Sequence, residues 1–365
     1  MAKIMIIGNS IGGFYKFRKE FIEKFMMYGH SIVLVFPEGT YTSYFAEQGC
    51  KMISFKMERR GKNLLEEAKL LKSFYITIKR EQPDIVMTYT IKPNIYAGII
   101  CRILKIPYLV SITGLGTSIS GQGLKQKLLT YTYNLALQDA SCVFFQNNAN
   151  MQALSEPRKL KTTKLIPGSG VNLTEHCLEQ YPEEKNAITF LTIGRIMQDK
   201  GTDEIIAAAR QIKKTNPTVR FCLIGSFDED YQEKIEKAVS EGVIEFCGYQ
   251  TNVHSFIKNS HATIHASYHE GMSNVLLESA STGRPVIATD VPGCRETYEN
   301  GVSGIACRVK DADDLTRAIR NFIELPHEEK AAMGRAGRKK MEQEFDRNIV
   351  IQAYLEEIGR IVGEQ

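Results

Sequence analysis

Two short segments carry side chains able to hold and transform a charged ligand. The first, TIGRIMQDKG, places Gly194-Arg195 four residues ahead of Lys200-Gly201. A guanidinium fork binds phosphate oxygens in pairs and an ammonium adds a compact charge. Arg195 and Lys200 can therefore neutralise a pyrophosphate and stabilise it as a leaving group. The apolar run Thr189 to Ile193 ends at Gly194 and helix-forming residues resume near Asp203, which predicts that both cations sit in a strand-to-helix loop. A solvated basic loop would contain the same residues, and this spacing alone does not separate the two readings.

The second segment, EGMSNVLLE, sets Glu270 and Glu278 eight positions apart. Glu270-Gly271 follows the strand and polar link Ala262 to Tyr268, and NVLLESA predicts a helix beginning near Ser273 or Asn274. First-turn N–H groups of Ser273, Asn274 and Val275 would then form an anion site. Glu270 precedes that site, within reach of a sugar attached to the bound phosphate. Glu278, one turn beyond Asn274, could accept two hydrogen bonds from a ribose diol. A plainer reading makes Glu278 a mid-helix surface carboxylate and Glu270 a helix-terminal charge. Arg195 and Lys200, at the corresponding loop of the same domain, favour the functional one: a nucleotide-diphosphate-sugar site in an enzyme.

Other patterns point elsewhere more weakly. GNSIGG (Gly8 to Gly13) is not GxGxxG, although Glu38 could stand where a dinucleotide fold keeps its ribose-binding acid. Asp228-Glu229-Asp230 and Asp311-Ala312-Asp313 could chelate a metal, but each sits where a helix begins, which predicts capping. His261, His265 and His269 recur every fourth residue in a strand and its exit, a poor geometry for zinc, and His269 beside Glu270 is placed to touch a donor. The eight cysteines are scattered without a CxxC pair and read as reduced core thiols of an intracellular protein.

The elements that must position these residues alternate along the chain. In the first half, strands are predicted at Ile4 to Ile7, Ile32 to Phe36, Ile85 to Thr88, Tyr108 to Ser111 and Val143 to Phe145. In the second they are predicted at Thr189 to Ile193, Phe221 to Ile224, Ile244 to Phe246, Ala262 to His265 and Val286 to Ala288. Amphipathic helical stretches separate them, the pattern of α/β parallel sheets covered by helices. The polar segment Tyr181 to Asn186 interrupts the rhythm. The expected organisation is thus a domain at 1–185, a second at 186–345, and a helix at 346–365 that could return to the first. Two Rossmann-like doubly wound domains of this kind, facing a cleft, bind ligands at the carboxyl ends of their strands.

Composition is that of a soluble globular chain, with 43% hydrophobic and 24% charged residues among 365. Net charge is +4, but residues 1–185 hold 24 Lys and Arg against 15 Asp and Glu, and the rest hold 22 against 27. No acid occurs from Ile85 through Gln138, where Lys92, Arg102, Lys105, Lys125 and Lys127 stand among tyrosines. Such a basic face suits an anionic membrane surface or a diphosphate-bearing acceptor, although buried strand and helix would also show few acids. The helix at Phe14 to Met27 mixes cations with aromatics in the same way. The longest apolar stretch, Asn94 to Gly116, is broken by Arg102, Lys105 and Pro107, so no transmembrane helix is expected, and no secretory signal is evident. The cations are not gathered into a groove-reading motif, which speaks against nucleic acid as a partner.

GR-x4-KG, EG-x3-VLLE, G-x-PVIA and VPGCRE, spanning about Thr189 to Glu299, resemble the donor half of glycosyltransferase family 4. These enzymes have GT-B architecture and retain the donor's anomeric configuration. TYTIKPNIYAG (Thr88 to Gly98) and SITGLGTS (Ser111 to Ser118) resemble the subgroup that adds galactose-type or hexosamine sugars to polyprenyl-diphosphate-linked glycans. The resemblance implies that Arg195 and Lys200 bind the diphosphate, that Glu270 meets the donor sugar and that Glu278 meets the ribose. It also implies that Gly12 and Gly13 form a glycine-rich loop approaching phosphate and sugar. Met272-Ser273 stand where several relatives have Phe-Pro, and Thr113-Gly114 where a number have a His; Lys92, Thr113 and Gly114 are the acceptor-side candidates. No general base is evident, which fits front-face retention with the β-phosphate taking the acceptor's proton.

The implied protein is a hexosyltransferase using a UDP-sugar and a lipid-linked glycan acceptor, without metal or other cofactor, cytoplasmic and peripheral at the inner face of the cell membrane. The rival readings are a sugar-nucleotide epimerase or hydrolase of the same fold and a non-catalytic sugar-nucleotide-binding protein at the membrane.

Overall fold

The computed structural model describes residues 1–57, 64–114, 124–155, 160–184 and 187–363. They form two compact units, Met1–Ser169 with Asn348–Gln365, and Gly170–Arg347. The first contains strands β1 (Lys3–Ile7), β2 (Ser31–Phe36), β3 (Lys51–Ser54), β4 (Ile85–Tyr89), β5 (Tyr108–Ile112), β6 (Cys142–Phe145) and β7 (Thr163–Leu165). All pair in parallel, in the order β3-β2-β1-β4-β5-β6-β7. The second contains β8 (Thr189–Ile193), β9 (Arg220–Ile224), β10 (Glu245–Phe246), β11 (Ala262–His265), β12 (Val286–Thr289) and β13 (Gly304–Cys307), also parallel, in the order β10-β9-β8-β11-β12-β13.

Helices connect the strands. Those of the first unit are α1 (Ile11–Met27), α2 (Thr42–Glu47), α3 (Leu64–Glu81), α4 (Ile91–Leu104), α5 (Leu124–Leu137) and α6 (Asn148–Ser155). Those of the second are α7 (Thr202–Thr215), α8 (Gln232–Ser240), α9 (Val253–Lys258), α10 (Asn274–Ser281), α11 (Ala312–Glu324) and α12 (His327–Glu344), and the chain then enters α13 (Arg347–Val362). Helices on both faces bury the central strands throughout, so β1, β4, β5 and β6 read as continuous apolar runs without alternation.

Strand order reverses between β1 and β4 in one sheet and between β8 and β11 in the other. Neighbouring connections leave such a switch point in opposite directions, opening a crevice outside the carboxyl ends of the strands. The segments after β8 and β11 are TIGRIMQDKG and HEGMSN, so the candidate donor residues flank the second switch point.

The division between units falls at Ser169 and Gly170, ahead of the polar segment anticipated as the boundary. Gly170 and Val171 are tied to the end of α12: Val171 N donates to the Phe345 carbonyl at 2.8 Å, and Arg347 N to that of Val171 at 3.1 Å. Tyr181 likewise belongs to the second unit, its hydroxyl donating to the His261 carbonyl at 3.0 Å. Lys185 and Asn186 lie outside the described residues.

The chain returns to the first unit through α13. Val350, Ile351, Tyr354 and Ile358 join the core formed by β1, β2 and α1. Tyr354, 1% exposed, packs its ring 4.1 Å from Phe144 and 5.4 Å from Phe21, and its hydroxyl lies 2.6 Å from Ser111 Oγ. Removing a fully packed aromatic leaves a cavity as well as lost transfer energy. Tyr354→Ala should lower stability by about 3–5 kcal/mol, and Tyr354→Phe, losing only the hydrogen bond, by about 1 kcal/mol. Urea unfolding checks both, and equal costs would show that packing of the ring is not what holds α13.

Candidate active site

The loop after β8 is shaped by Gly201. Its φ of +69° lies in the left-handed region, and a Cβ there would come within 2.2 Å of the Ala266 carbonyl oxygen. Only glycine permits this approach, which lays the loop on the exit of β11. Tyr268 N then donates to the Asp199 carbonyl at 2.9 Å, and Ser267 Oγ to the same oxygen at 3.3 Å. A second close approach fixes the other loop. A Cβ on Gly293, φ +84°, would meet the carbonyl oxygens of Glu270 and Gly271 at 2.7 Å.

Held this way, the Lys200 ammonium donates to Glu270 Oε1, with side chains 22% and 16% exposed. His265 Nε2 lies 3.0 Å from the same oxygen and 3.1 Å from Ser273 Oγ. Burial by itself would raise the Glu270 carboxyl. The Lys200 charge, with hydrogen bonds from His265 and Lys200, outweighs it and holds the group well below the usual carboxylate range.

Ser273 is the N-cap of α10, its hydroxyl accepting from Leu276 N at 3.4 Å. Its own N–H donates to the Gly293 carbonyl at 2.8 Å, so it is not the open anion donor expected of it. The amides of Asn274 and Val275 have no acceptor among the described residues, as first-turn positions leave them. The Glu278 side chain, on the same helix, is mostly buried, with His176 Nε2 3.9 Å from its Oε1.

Arg195 donates to Asp228 at hydrogen-bonding contact, and Gln198 N to Glu229 Oε2 at 2.8 Å. The acids at 228 and 229 therefore brace this loop instead of capping a helix; α8 starts later, after Tyr231, which makes no side-chain cap. Asp311 does cap α11, accepting from Asp314 N at 2.8 Å. Gly194, Arg195, Lys200 and His265 line one pocket, and a Cβ on Gly194 would point into open space.

His269, anticipated at the donor, lies 3.8 Å from Asp199, and it is His265 that meets Glu270. His265 ends β11, and its register was legible, but its partner depends on a loop geometry set by Gly293 far along the chain.

The first unit presents its own switch point. Gly12 and Gly13 form the first turn of α1, not a loop, and Gly13 N donates to Ser10 Oγ at 3.1 Å. Thr90, after β4, has φ +72°, a strained value for a β-branched residue. Asn94 fastens TYTIKPN to the next strand, donating to the Ser111 carbonyl at 3.0 Å and to Tyr133 at 2.7 Å. Lys92 pairs with Glu67 at 2.5 Å, and Tyr96 donates to the other Glu67 oxygen at 2.6 Å. Thr113 and Gly114 follow β5, and residues 115–118 of SITGLGTS lie outside the described residues.

The chain matches two family models: Glycosyl transferases group 1 over residues 175–340 and Glycosyl transferase 4-like over residues 3–147. It is 24% identical to N,N'-diacetylbacillosaminyl-diphospho-undecaprenol alpha-1,3-N-acetylgalactosaminyltransferase of Campylobacter jejuni, over 99% of each chain. Among solved structures it is similar to Anabaena HepE in complex with UDP-glucose (TM-score 0.80, 18% identity, 99% of this chain and 100% of that one). It is also similar to sucrose-phosphate synthase of Thermosynechococcus elongatus (TM-score 0.82, 18% identity, all of both chains).

The Lys200–Glu270 pair has measurable consequences in the protein without ligand. Breaking a pair withdrawn from water strands the other charge, so Lys200→Ala and Glu270→Ala should each cost about 3 kcal/mol. The double variant should cost less than their sum, as a double-mutant cycle by urea unfolding would read. Glu270's folded-state pKa lies below its unfolded value, so its stabilisation is complete above about pH 4 and is lost as pH falls through the folded value. The stability gap between wild type and Glu270→Gln should therefore narrow below about pH 4; a gap constant from neutral pH to pH 3 would show that these partners do not hold the carboxylate.

Proposed function

The chain belongs to the glycosyltransferases of GT-B fold, and on that footing we propose that it moves a hexose or N-acetylhexosamine from a UDP-sugar to a polyprenyl-diphosphate-linked saccharide, with retention of anomeric configuration. The observation that carries the proposal is the meeting of Lys200, Glu270 and His265 at the β8–β11 switch point, beside the unpartnered amides of Asn274 and Val275. Support for the donor comes from the UDP-glucose complex of the Anabaena protein, and for the acceptor from the undecaprenol-linked substrate in the name of the Campylobacter relative.

In this reading the diphosphate enters against Arg195, Lys200 and the first turn of α10. Lys200 keeps three donors and spends one on Glu270, so the arriving phosphate shares an ammonium already in place. Positive groups fixed before the reaction need little reorganisation as negative charge grows on the β-phosphate. Glu270 then orients the hydroxyls of the donor sugar, and Glu278 accepts from the ribose. The β-phosphate takes the acceptor's proton as the bond to the anomeric carbon breaks, and the acceptor oxygen bonds from the same face. Arg195, Lys200 and the two amides supply the charge stabilisation that a metal gives in other transferases. Gly12 and Gly13 of the first unit would approach the donor's phosphate and sugar, and the acceptor would meet that unit near Lys92, Thr113 and Gly114. None of the described helices is long and apolar enough to cross a membrane. Its basic residues suit contact with an anionic surface, at the inner face of the cell membrane, where a lipid-linked acceptor would be presented.

Glu270→Gln should lower turnover by at least about 100-fold, the scale of losing one preorganised polar contact to the reacting group, while circular dichroism shows a retained fold. Near-normal turnover would remove Glu270 from its role. Transfer should persist in EDTA; activity lost there and restored only by Mn²⁺ or Mg²⁺ would return a metal to the mechanism. Rapid release of sugar without any acceptor would instead favour a hydrolase.

A further inference from the structure

A second group of ligand-type side chains lies apart from the Lys200–Glu270 pair. Cys177 and Glu179, on the segment before β8, face His254 of α9. One ligand atom from each lies within 4.8 Å of the others, the one such group of three His, Cys, Asp or Glu among the described residues. The Cys177 side chain is exposed, so the group is open to solvent.

Each ligand atom is already aimed. Glu179 turns Oε2 to Lys258 Nζ, 3.2 Å away, and keeps Oε1 for His254 Nε2 at 3.2 Å and Cys177 Sγ at 3.8 Å. The Glu179 backbone is pinned as well, its N–H donating to the Thr282 carbonyl and its carbonyl accepting from Arg284, both at 3.2 Å. Behind His254, Thr282 Oγ1 donates to the Glu278 carbonyl at 2.8 Å and lies 3.4 Å from His254 Nδ1. Nδ1 is thus the ring nitrogen that faces this hydroxyl, and Nε2 the one that faces Glu179.

Nε2 and the Cys177 sulfur both approach the same carboxylate oxygen, Glu179 Oε1, at 3.2 and 3.8 Å, so the three ligand-type atoms converge on one point. Sulfur, imidazole and carboxylate together form a donor set that suits Zn²⁺. Metal-binding histidines are oriented through their other ring nitrogen, which in His254 faces the Thr282 hydroxyl.

We propose that Cys177, Glu179 and His254 form a binding site for a divalent transition metal of the zinc class, with the remaining position left to water. Binding releases the Cys177 thiol proton to solvent and joins the segment of Cys177 and Glu179 to α9. Through Thr282 it also braces the end of α10, the helix that carries Glu278.

The test uses the full chain, stripped with EDTA and desalted, and reads binding without turnover, so it stands or falls independently of the sugar-transfer proposal. Zn²⁺ titrated against a chromophoric chelator should fill one site per chain, and Co²⁺ should give a thiolate-to-cobalt charge-transfer band in the near ultraviolet. Cys177→Ser should abolish the band and weaken Zn²⁺ binding by at least about 10-fold, and His254→Ala should weaken it by a similar factor. Cys247→Ser, a thiol elsewhere in the same unit, should change neither. Absence of saturable binding, a band that survives Cys177→Ser, or binding lost instead in Cys247→Ser would overturn the proposal.

Discussion

The contact between Lys200 and Glu270 is the constraint on which the candidate site depends, because it joins loops that leave neighbouring strands in opposite directions. Two charges of opposite sign, largely withdrawn from water, hold each other where neither would be stable alone. Glycine makes the meeting possible: Gly201 lets one loop lie against Ala266, and Gly293 lets VPGCRE press on the backbone of Glu270. Arg195 and Asp228 repeat the arrangement on the outer side of the same loop. The site is thereby electrically balanced before any ligand arrives, and an entering polyanion exchanges partners with charges already fixed in position.

The sheet architecture was legible because the central strands have to be apolar on both faces. Ile4 to Ile7, Ile85 to Thr88 and Thr189 to Ile193 stand out in sequence for that reason. The strands that escaped, Lys51–Ser54, Thr163–Leu165 and Gly304–Cys307, are short and each lies at the edge of its sheet, where a side chain can face water and the continuous run disappears. The unit boundary was displaced for a related reason. Polarity marks Tyr181 to Asn186, but hydrogen bonds from Val171 to the end of α12 decide where the second unit begins.

At the site, charge and spacing identified the loops, whereas partnerships required coordinates. Nothing near Arg195 announces Asp228, 33 positions away, and the same acid looked like a helix cap. Sequence adjacency draws attention to His269 beside Glu270, and only the turn after β11 shows that His265 is the ring meeting that carboxylate. Ser273 shows a similar limit: its type fits an N-cap, yet its amide is already committed to Gly293 by a contact no local pattern encodes.

The first unit is discontinuous, closed by a helix whose Val350, Ile351, Tyr354 and Ile358 arrive after the whole second unit has been traversed. During synthesis, residues through Ile358 must therefore emerge before the earlier half can complete its core, while Gly170–Arg347 has all its strands available sooner. Domains that emerge first ordinarily fold first; here the amino-terminal sheet lacks part of its core until α13 has emerged, the period in which a chaperone would have the most to hold.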